Sequence, residues 1–212
     1  MATHLVIGDP HCTPKASNDR FLWAGKFAYD LKPDTIICMG DFASMDSLSS
    51  YDKGKKSFEG RRYKKDIEHV HNALEQFNKG LNGRRPRKIM LLGNHEDRID
   101  RTVDEIPELE GTISTDDFKF KKYGWEVHEY QIPVVVDGVY YCHNFPTGVM
   151  GKPISGDNIG RALLIKNKVY IYLIMLCVPY HLVKNLWDYL QDVTCITKKT
   201  MLRIHSKCGG VD

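Results

Sequence analysis

The chain lacks paired cysteines, a strong charge bias and any apolar run long enough to cross a bilayer. Its six cysteines, Cys12, Cys38, Cys142, Cys177, Cys195 and Cys208, contain no CxxC pair, and half of them sit inside apolar, strand-like runs. This argues against a disulfide framework, so reduced thiols in a cytoplasmic protein are expected. A formal charge of +3 places no global demand for nucleic acid or a membrane surface, which leaves local charge to decide. The longest apolar run, residues 169–178, is too short to span a bilayer and reads as a buried strand or helix, so no membrane partner is expected. The N-terminus enters a strand without the basic and apolar regions of a signal peptide, so export is not expected. Internal repeats, low-complexity tracts and a Ser or Cys nucleophile motif are also missing.

What is present is a repeated unit of strand, polar loop and helix. A length of 212 residues suits one globular domain with a proper core. The β-branched run Thr3–Ile7 ends at Gly8 and delivers Asp9 to a loop. A helix is predicted over residues 18–32, capped by Asn18 or Asp19 and stopped before Pro33. A second strand over 35–39 closes on Gly40-Asp41. A helix over 65–77 and a strand over 88–92 then lead to Gly93-Asn94-His95-Glu96. Strands that alternate with helices imply a largely parallel sheet with helices against it. Later strands at 126–130, 132–136 and 139–142 are closely spaced, and Asp137-Gly138 is a strong hairpin signal, so this part is expected to be antiparallel. The polar stretch 44–65 reads as a loop or lid.

Each of four strand ends carries a residue set able to bind a metal: Gly8-Asp9-Pro10-His11, Gly40-Asp41, Gly93-Asn94-His95-Glu96 and Cys142-His143-Asn144. Taken singly, Asp9 could be a helix cap, Asp41 a turn residue and Asn94 a left-handed residue. Taken together they converge, because loops at the carboxyl ends of strands in an open α/β sheet meet at one crevice. Mixed carboxylate, imidazole and amide donors suit divalent Mn, Fe or Zn.

These ordered blocks resemble those of the calcineurin-like metallophosphoesterases, with Gly-Asn-His-Glu at 93–96 the most specific among them. The resemblance covers roughly residues 3–150. It implies an α/β fold of two packed mixed sheets flanked by helices, with the metal site at the strand C-terminal ends. It also implies two divalent ions, Mn2+ first and Fe, Zn, Ni or Mg as options. Asp9 and His11 would bind one ion, Asp41 would bridge, and Asn94 and His143 would bind the other. A metal-bridging hydroxide would be the nucleophile, and His95 would protonate the leaving oxygen or stabilise the transition state.

The resemblance breaks at its end. The family closes its site with Gly-His-x-His, which is missing from this sequence; after His143 only His181 and His205 occur, neither with a histidine two residues away. Residues 1–165 therefore read as the metallophosphoesterase-like domain, and 166–212 as its atypical C-terminal segment, with seven Lys/Arg against three Asp/Glu. Three explanations stand side by side: His181 or His205 substitutes, water completes the coordination, or the tail is an altered version of the family's. A missing ligand would weaken metal binding and impair activity.

For substrate, residues 53–65 concentrate Lys53, Lys55, Lys56, Arg61, Arg62, Lys64 and Lys65 near the Asp41 loop, with Tyr51, Phe58 and Tyr63 interleaved. Lys55, Lys56, Arg61 and Arg62 are candidate contacts to phosphate or a nucleic-acid backbone, and the aromatics could stack on bases. The Asp41 block continues Phe42-Ala43-Ser44-Met45-Asp46 instead of the Gly-Asp-x-x-Asp-Arg-Gly of phosphoprotein phosphatases, which argues against protein dephosphorylation. The expected function is a phosphodiesterase or nuclease acting on nucleic acid or nucleotides. The alternatives are a small-molecule or nucleotide phosphomonoesterase, and a catalytically impaired scaffold that binds nucleic acid or a protein partner. No feature of the sequence specifies an oligomeric state.

Overall fold

The computed structural model describes residues 2–146 and 193–197. Strands β1 (Thr3–Ile7), β2 (Thr35–Cys38), β3 (Arg87–Leu91) and β4 (Glu126–His128) pair in parallel. A later strand, Val193–Thr197, lies antiparallel along the free side of β1. A hairpin of β5 (Val134–Val136) and β6 (Val139–Tyr141) forms a second, smaller sheet. Helices α1 (Asp19–Leu31) and α2 (Tyr63–Gly80) complete the α/β architecture expected from the sequence. Numbered in chain order, the late strand is β7, and the large sheet runs β4-β3-β2-β1-β7.

The apolar runs of β1 to β3 are continuous because both faces are covered. Leu5, Ile7, Ile36, Cys38, Met90 and Leu92 join one core with Phe21 and Ala28 of α1 and Val70, Leu74 and Phe77 of α2. The alternate residues Val6, Ile37, Met39, Ile89 and Leu91 join a second core with Val136, Val139 and Tyr141 of the hairpin. Each such side chain fully buried is worth roughly 1.5–3 kcal/mol of transfer free energy. Burial on both faces therefore fixes the strand register and, with it, the direction in which the carboxyl-end loops project.

The two helices cross through glycines. A Cβ at Gly25 would overlap the Phe77 carbonyl oxygen, and one at Gly80 would overlap the Leu22 carbonyl oxygen. This contact explains why α2 runs to Gly80, beyond the predicted end at Phe77. Asn18 precedes α1, but its side chain makes no capping hydrogen bond; it donates instead to the His69 carbonyl at 3.0 Å and to Asn72 Oδ1 at 2.9 Å.

The segment expected to be wholly antiparallel divides into two parts. β4 is parallel to β3, with Ile89 opposite Glu126, because the intervening chain is long enough for a crossover. That crossover holds helix α3 (Arg98–Glu105) and 3₁₀ turns at Thr115–Phe118 and Phe120–Tyr123. The hairpin holds as read: Asp137 and Gly138 have φ of 49° and 82°, the left-handed pair that a two-residue turn of this hand requires. The 44–65 stretch is a chain of 3₁₀ turns at Asp46–Leu48, Ser50–Asp52 and Lys56–Phe58 that leads into α2. Among the described residues no helix is long and apolar enough to cross a membrane. The apolar run 169–178, His181 and His205 lie outside the described residues.

Candidate metal centre

The loops after β1 and β2 are zipped together beyond the strands. His11 N–H donates to the Asp41 carbonyl at 2.9 Å, Cys12 N–H to Phe42 at 2.6 Å, and Ser44 N–H to Cys12 at 2.8 Å. This places His11 directly beside Asp41. Both residues take left-handed backbone, with φ of 45° and 48°, a conformation that costs a non-glycine residue about 1–3 kcal/mol and concentrates at functional sites. Gly93 permits the third loop to close in, since a Cβ there would overlap the Asp41 carboxylate and amide. Gly40, at φ 105°, leaves room for the His143 ring.

Three imidazole nitrogens point at one carboxylate oxygen. Asp41 Oδ2 lies 4.0 Å from His11 Nε2, 3.8 Å from His95 Nε2 and 3.6 Å from His143 Nε2. These distances are too long for hydrogen bonds. They suit donors sharing an ion, because atoms each ~2.0–2.2 Å from one metal are separated by at most ~4.4 Å. Two donor groups emerge, His11 with Asp41 and His95, and Asp9 with Asp41 and His143, the ligand atoms of each lying within 4.8 Å of one another. Asp41 belongs to both.

The tautomers support the same fit. His143 Nδ1 donates to the Met39 carbonyl at 2.9 Å, so a neutral ring turns its Nε2 lone pair toward Asn94 Oδ1, only 3.0 Å away. Two acceptors facing each other at that range call for a cation. His95 is oriented in the same way: its Nδ1 donates to the Ser44 carbonyl at 2.8 Å, leaving Nε2 toward Asp41 and Arg98. Burial holds the pKa of both His11 and His95 below the ordinary imidazole value. They therefore stay neutral, the state in which imidazole binds a metal. The donor set of carboxylates, imidazoles and an amide fits a pair of divalent ions.

Glu96, to which the sequence reading gave no role, organises this centre. Completely buried, its Oε2 accepts from the Asp41 and Gly93 amides at 3.0 and 2.8 Å, and its Oε1 from the Ala43 amide at 2.7 Å. Burial pushes its carboxyl up to about 8, with the Asp41 charge adding to the effect and the three amides opposing it. Arg98 is the other omission. Its guanidinium donates to the Ser44 carbonyl at 2.8 Å and approaches His95 Nε2 at 3.3 Å. A helix begins at Arg98, so its i+3 spacing from His95 was the available signal.

The basic segment is less open than its composition suggests. The Arg61 side chain is only 8% exposed and is held by Asp52 Oδ2 at 2.7 Å and the Asp46 carbonyl at 3.0 Å. Lys55, Lys56 and Arg62 are exposed. Tyr63 donates to Asp117 Oδ2 at 2.6 Å, and Arg61 covers the Phe58 ring at 5.4 Å. Of the three aromatics singled out for stacking, Tyr51 alone stands clear, 82% exposed.

With this geometry in place, the comparison with known families is direct. The sequence model of the calcineurin-like phosphoesterase family matches residues 3–177, and the chain belongs to that family. Family membership carries metal-dependent phosphoester hydrolysis as the class of chemistry, with the paired donor groups as the matching feature of the structure. No curated protein gives a significant match to the chain.

Proposed function

We propose that the chain is a phosphodiesterase or nuclease that acts on nucleic-acid or nucleotide diesters with two divalent ions, Mn2+ the first choice. The observation that carries this reading is the convergence of three imidazoles on Asp41 Oδ2, with Asn94 Oδ1 facing His143. In this reading Asp9 and His11 hold one ion, Asn94 and His143 the other, and Asp41 both. Bound there, the ions would polarise the phosphoryl oxygens, offset the developing charge and make a water nucleophilic at neutral pH.

The chain's own residues do the rest. Asp41 is fixed at both ends, its amide by Glu96 and its Oδ1 by the His95 amide at 2.9 Å. His95 is the general acid. Ser44 fixes its tautomer, Arg98 lies against its Nε2, and the proton on that nitrogen passes to the departing oxygen. A diester is favoured over a monoester because the nearby guanidiniums are already engaged: Arg98 with the Ser44 carbonyl, and Arg101 with Asp97 at 2.9 Å. Little free positive charge is left to attract a dianion. Residues 1–165 form the catalytic domain and 166–212 its atypical end, where His181 or His205 supplies a further ligand. The buried thiols Cys12, Cys38 and Cys142 fit a cytoplasmic setting.

The test pairs bis-p-nitrophenyl phosphate with p-nitrophenyl phosphate in added manganese, using wild type and His95→Ala. The expected outcome is preference for the diester, a kcat lowered about 10²–10⁴-fold in the variant, and unchanged metal content. Preference for the monoester would reverse the substrate order. Lost metal in His95→Ala would make His95 a ligand instead of the acid.

A further inference from the structure

A cavity of about 270 Å³ opens between the 3₁₀ turns at 46–52 and helix α3. Tyr51, Lys53, Arg101 and Tyr130 line it, together with Asn94 and Arg98, so it adjoins the proposed metal centre on its Asn94 side. Arg98 connects the two, facing the cavity while its guanidinium approaches His95.

The charges here are largely paired within the protein. Arg101 bonds Asp97, Lys53 spans to Glu105 at 4.0 Å, and Arg98 donates to the Ser44 and Met45 carbonyls. A polyanion entering this cavity would meet two carboxylates and no unengaged guanidinium. A flat, uncharged, polar-edged group meets better terms: an exposed aromatic ring at the mouth, a second ring from Tyr130, and hydroxyl and amide groups between them. The volume is close to the lower end of the ~300–1,000 Å³ of small-molecule sites, room for one such unit and not for a strand of them.

We propose that this cavity is the subsite for one nucleoside arm of the diester, with the base against Tyr51 and the sugar toward Asn94 and Arg98. The proposal rests on the phosphodiesterase reading and narrows it: recognition is through a single stacked nucleoside flanking the reacting phosphate, while Lys55, Lys56 and Arg62 lie outside this pocket.

The decisive experiment compares thymidine 5′-(4-nitrophenyl) phosphate with methyl 4-nitrophenyl phosphate on the manganese-loaded protein. Both release 4-nitrophenolate, so the ratio of their kcat/KM values reports the other arm. Wild type is expected to prefer the thymidine ester. In Tyr51→Ala that ratio is expected to fall roughly 5- to 150-fold, the range that base stacking of ~1–3 kcal/mol per base corresponds to at ~1.4 kcal/mol per tenfold. Tyr51→Phe should keep the ratio, and Tyr29→Ala, another exposed aromatic far along α1, should leave it unchanged. An unaltered ratio in Tyr51→Ala overturns the subsite and leaves the diesterase reading standing. Should neither ester be turned over, that reading fails by itself, and saturation-transfer NMR with thymidine 5′-monophosphate in EDTA decides the subsite. Transfer to the base protons that is lost in Tyr51→Ala sustains it; equal transfer, or none in wild type, overturns it.

Discussion

Replacing Glu96 by Gln tests whether a single buried side chain holds the metal-binding loops together. The carboxylate accepts three backbone amides, two at Oε2 and one at Oε1. Gln offers one oxygen and one amide group, and it loses least by turning the amide toward Ala43. One buried N–H is then left facing another donor, which costs about 1–3 kcal/mol. Neutralising a carboxyl that burial already pushes up to about 8 offsets part of this, and loss of the acceptor sets the sign. For a chain of this length each kcal/mol moves the thermal midpoint by about 2–4 °C, so Glu96→Gln should lower it by roughly 2–12 °C. Glu96→Ala orphans all three amides and should consume most of a typical 5–15 kcal/mol of stability. Because two of those amides belong to the Asp41 loop, manganese affinity in Glu96→Gln should drop about 10–100-fold. Scanning calorimetry of the metal-free protein reads the first effect, and titration calorimetry with Mn2+ the second. A variant with wild-type midpoint and wild-type affinity would refute the clamp.

Other predictions address the packing, the thiols and the metals. Gly25→Ala drives a methyl into the Phe77 carbonyl at the helix crossing and should cost about 1–3 kcal/mol in chemical denaturation; a stabilised variant would show that the crossing can relax. Burial pushes the Cys12 and Cys142 thiols up to about 12 and about 11 and raises Cys38 as well. Peptide mapping after iodoacetamide at pH 8 should therefore find all three unmodified until the protein is unfolded. Free Mn2+ at ~100 times its Kd should raise stability by about 2.7 kcal/mol, reversed by chelator. Asp41→Asn should abolish that gain, and its persistence would count against Asp41 as the shared ligand.

Much of this was legible in the sequence because the parallel strands carry it. Apolar runs that end in Gly-Asp or Gly-Asn-His announce both a buried strand and a donor at its end, and β1, β2 and β3 with Asp9, Asp41 and Asn94 fall where that pattern puts them. The placement of β4 was not legible. Three residues, Glu126–His128, carry too little periodicity to reveal their partner, and proximity to the hairpin suggested the wrong one. Helix α3 escaped for a related reason: of its residues only Ile99 is buried, so it shows no apolar stripe. Composition also overstated the basic segment, because a residue count cannot tell that Arg61 is turned inward to Asp52. Glu96 was visible as a letter, but its work is acceptance of backbone amides, which leaves no mark on neighbouring side chains.

The zipper between the first two loops sets a limit on how this chain can vary. Ile7 is opposite Cys38 and Cys12 is opposite Ala43, the same offset of 31 residues maintained across both loops. The two loops are thus of equal length, and adding or deleting one residue in either would break that match and carry His11 out of step with Asp41. In descendants of this sequence, these loops should accept changes of letter far more readily than changes of length, whereas the stretch of 3₁₀ turns around Gly54 and Gly60, where added Cβ atoms would meet nothing, is free to grow or shrink.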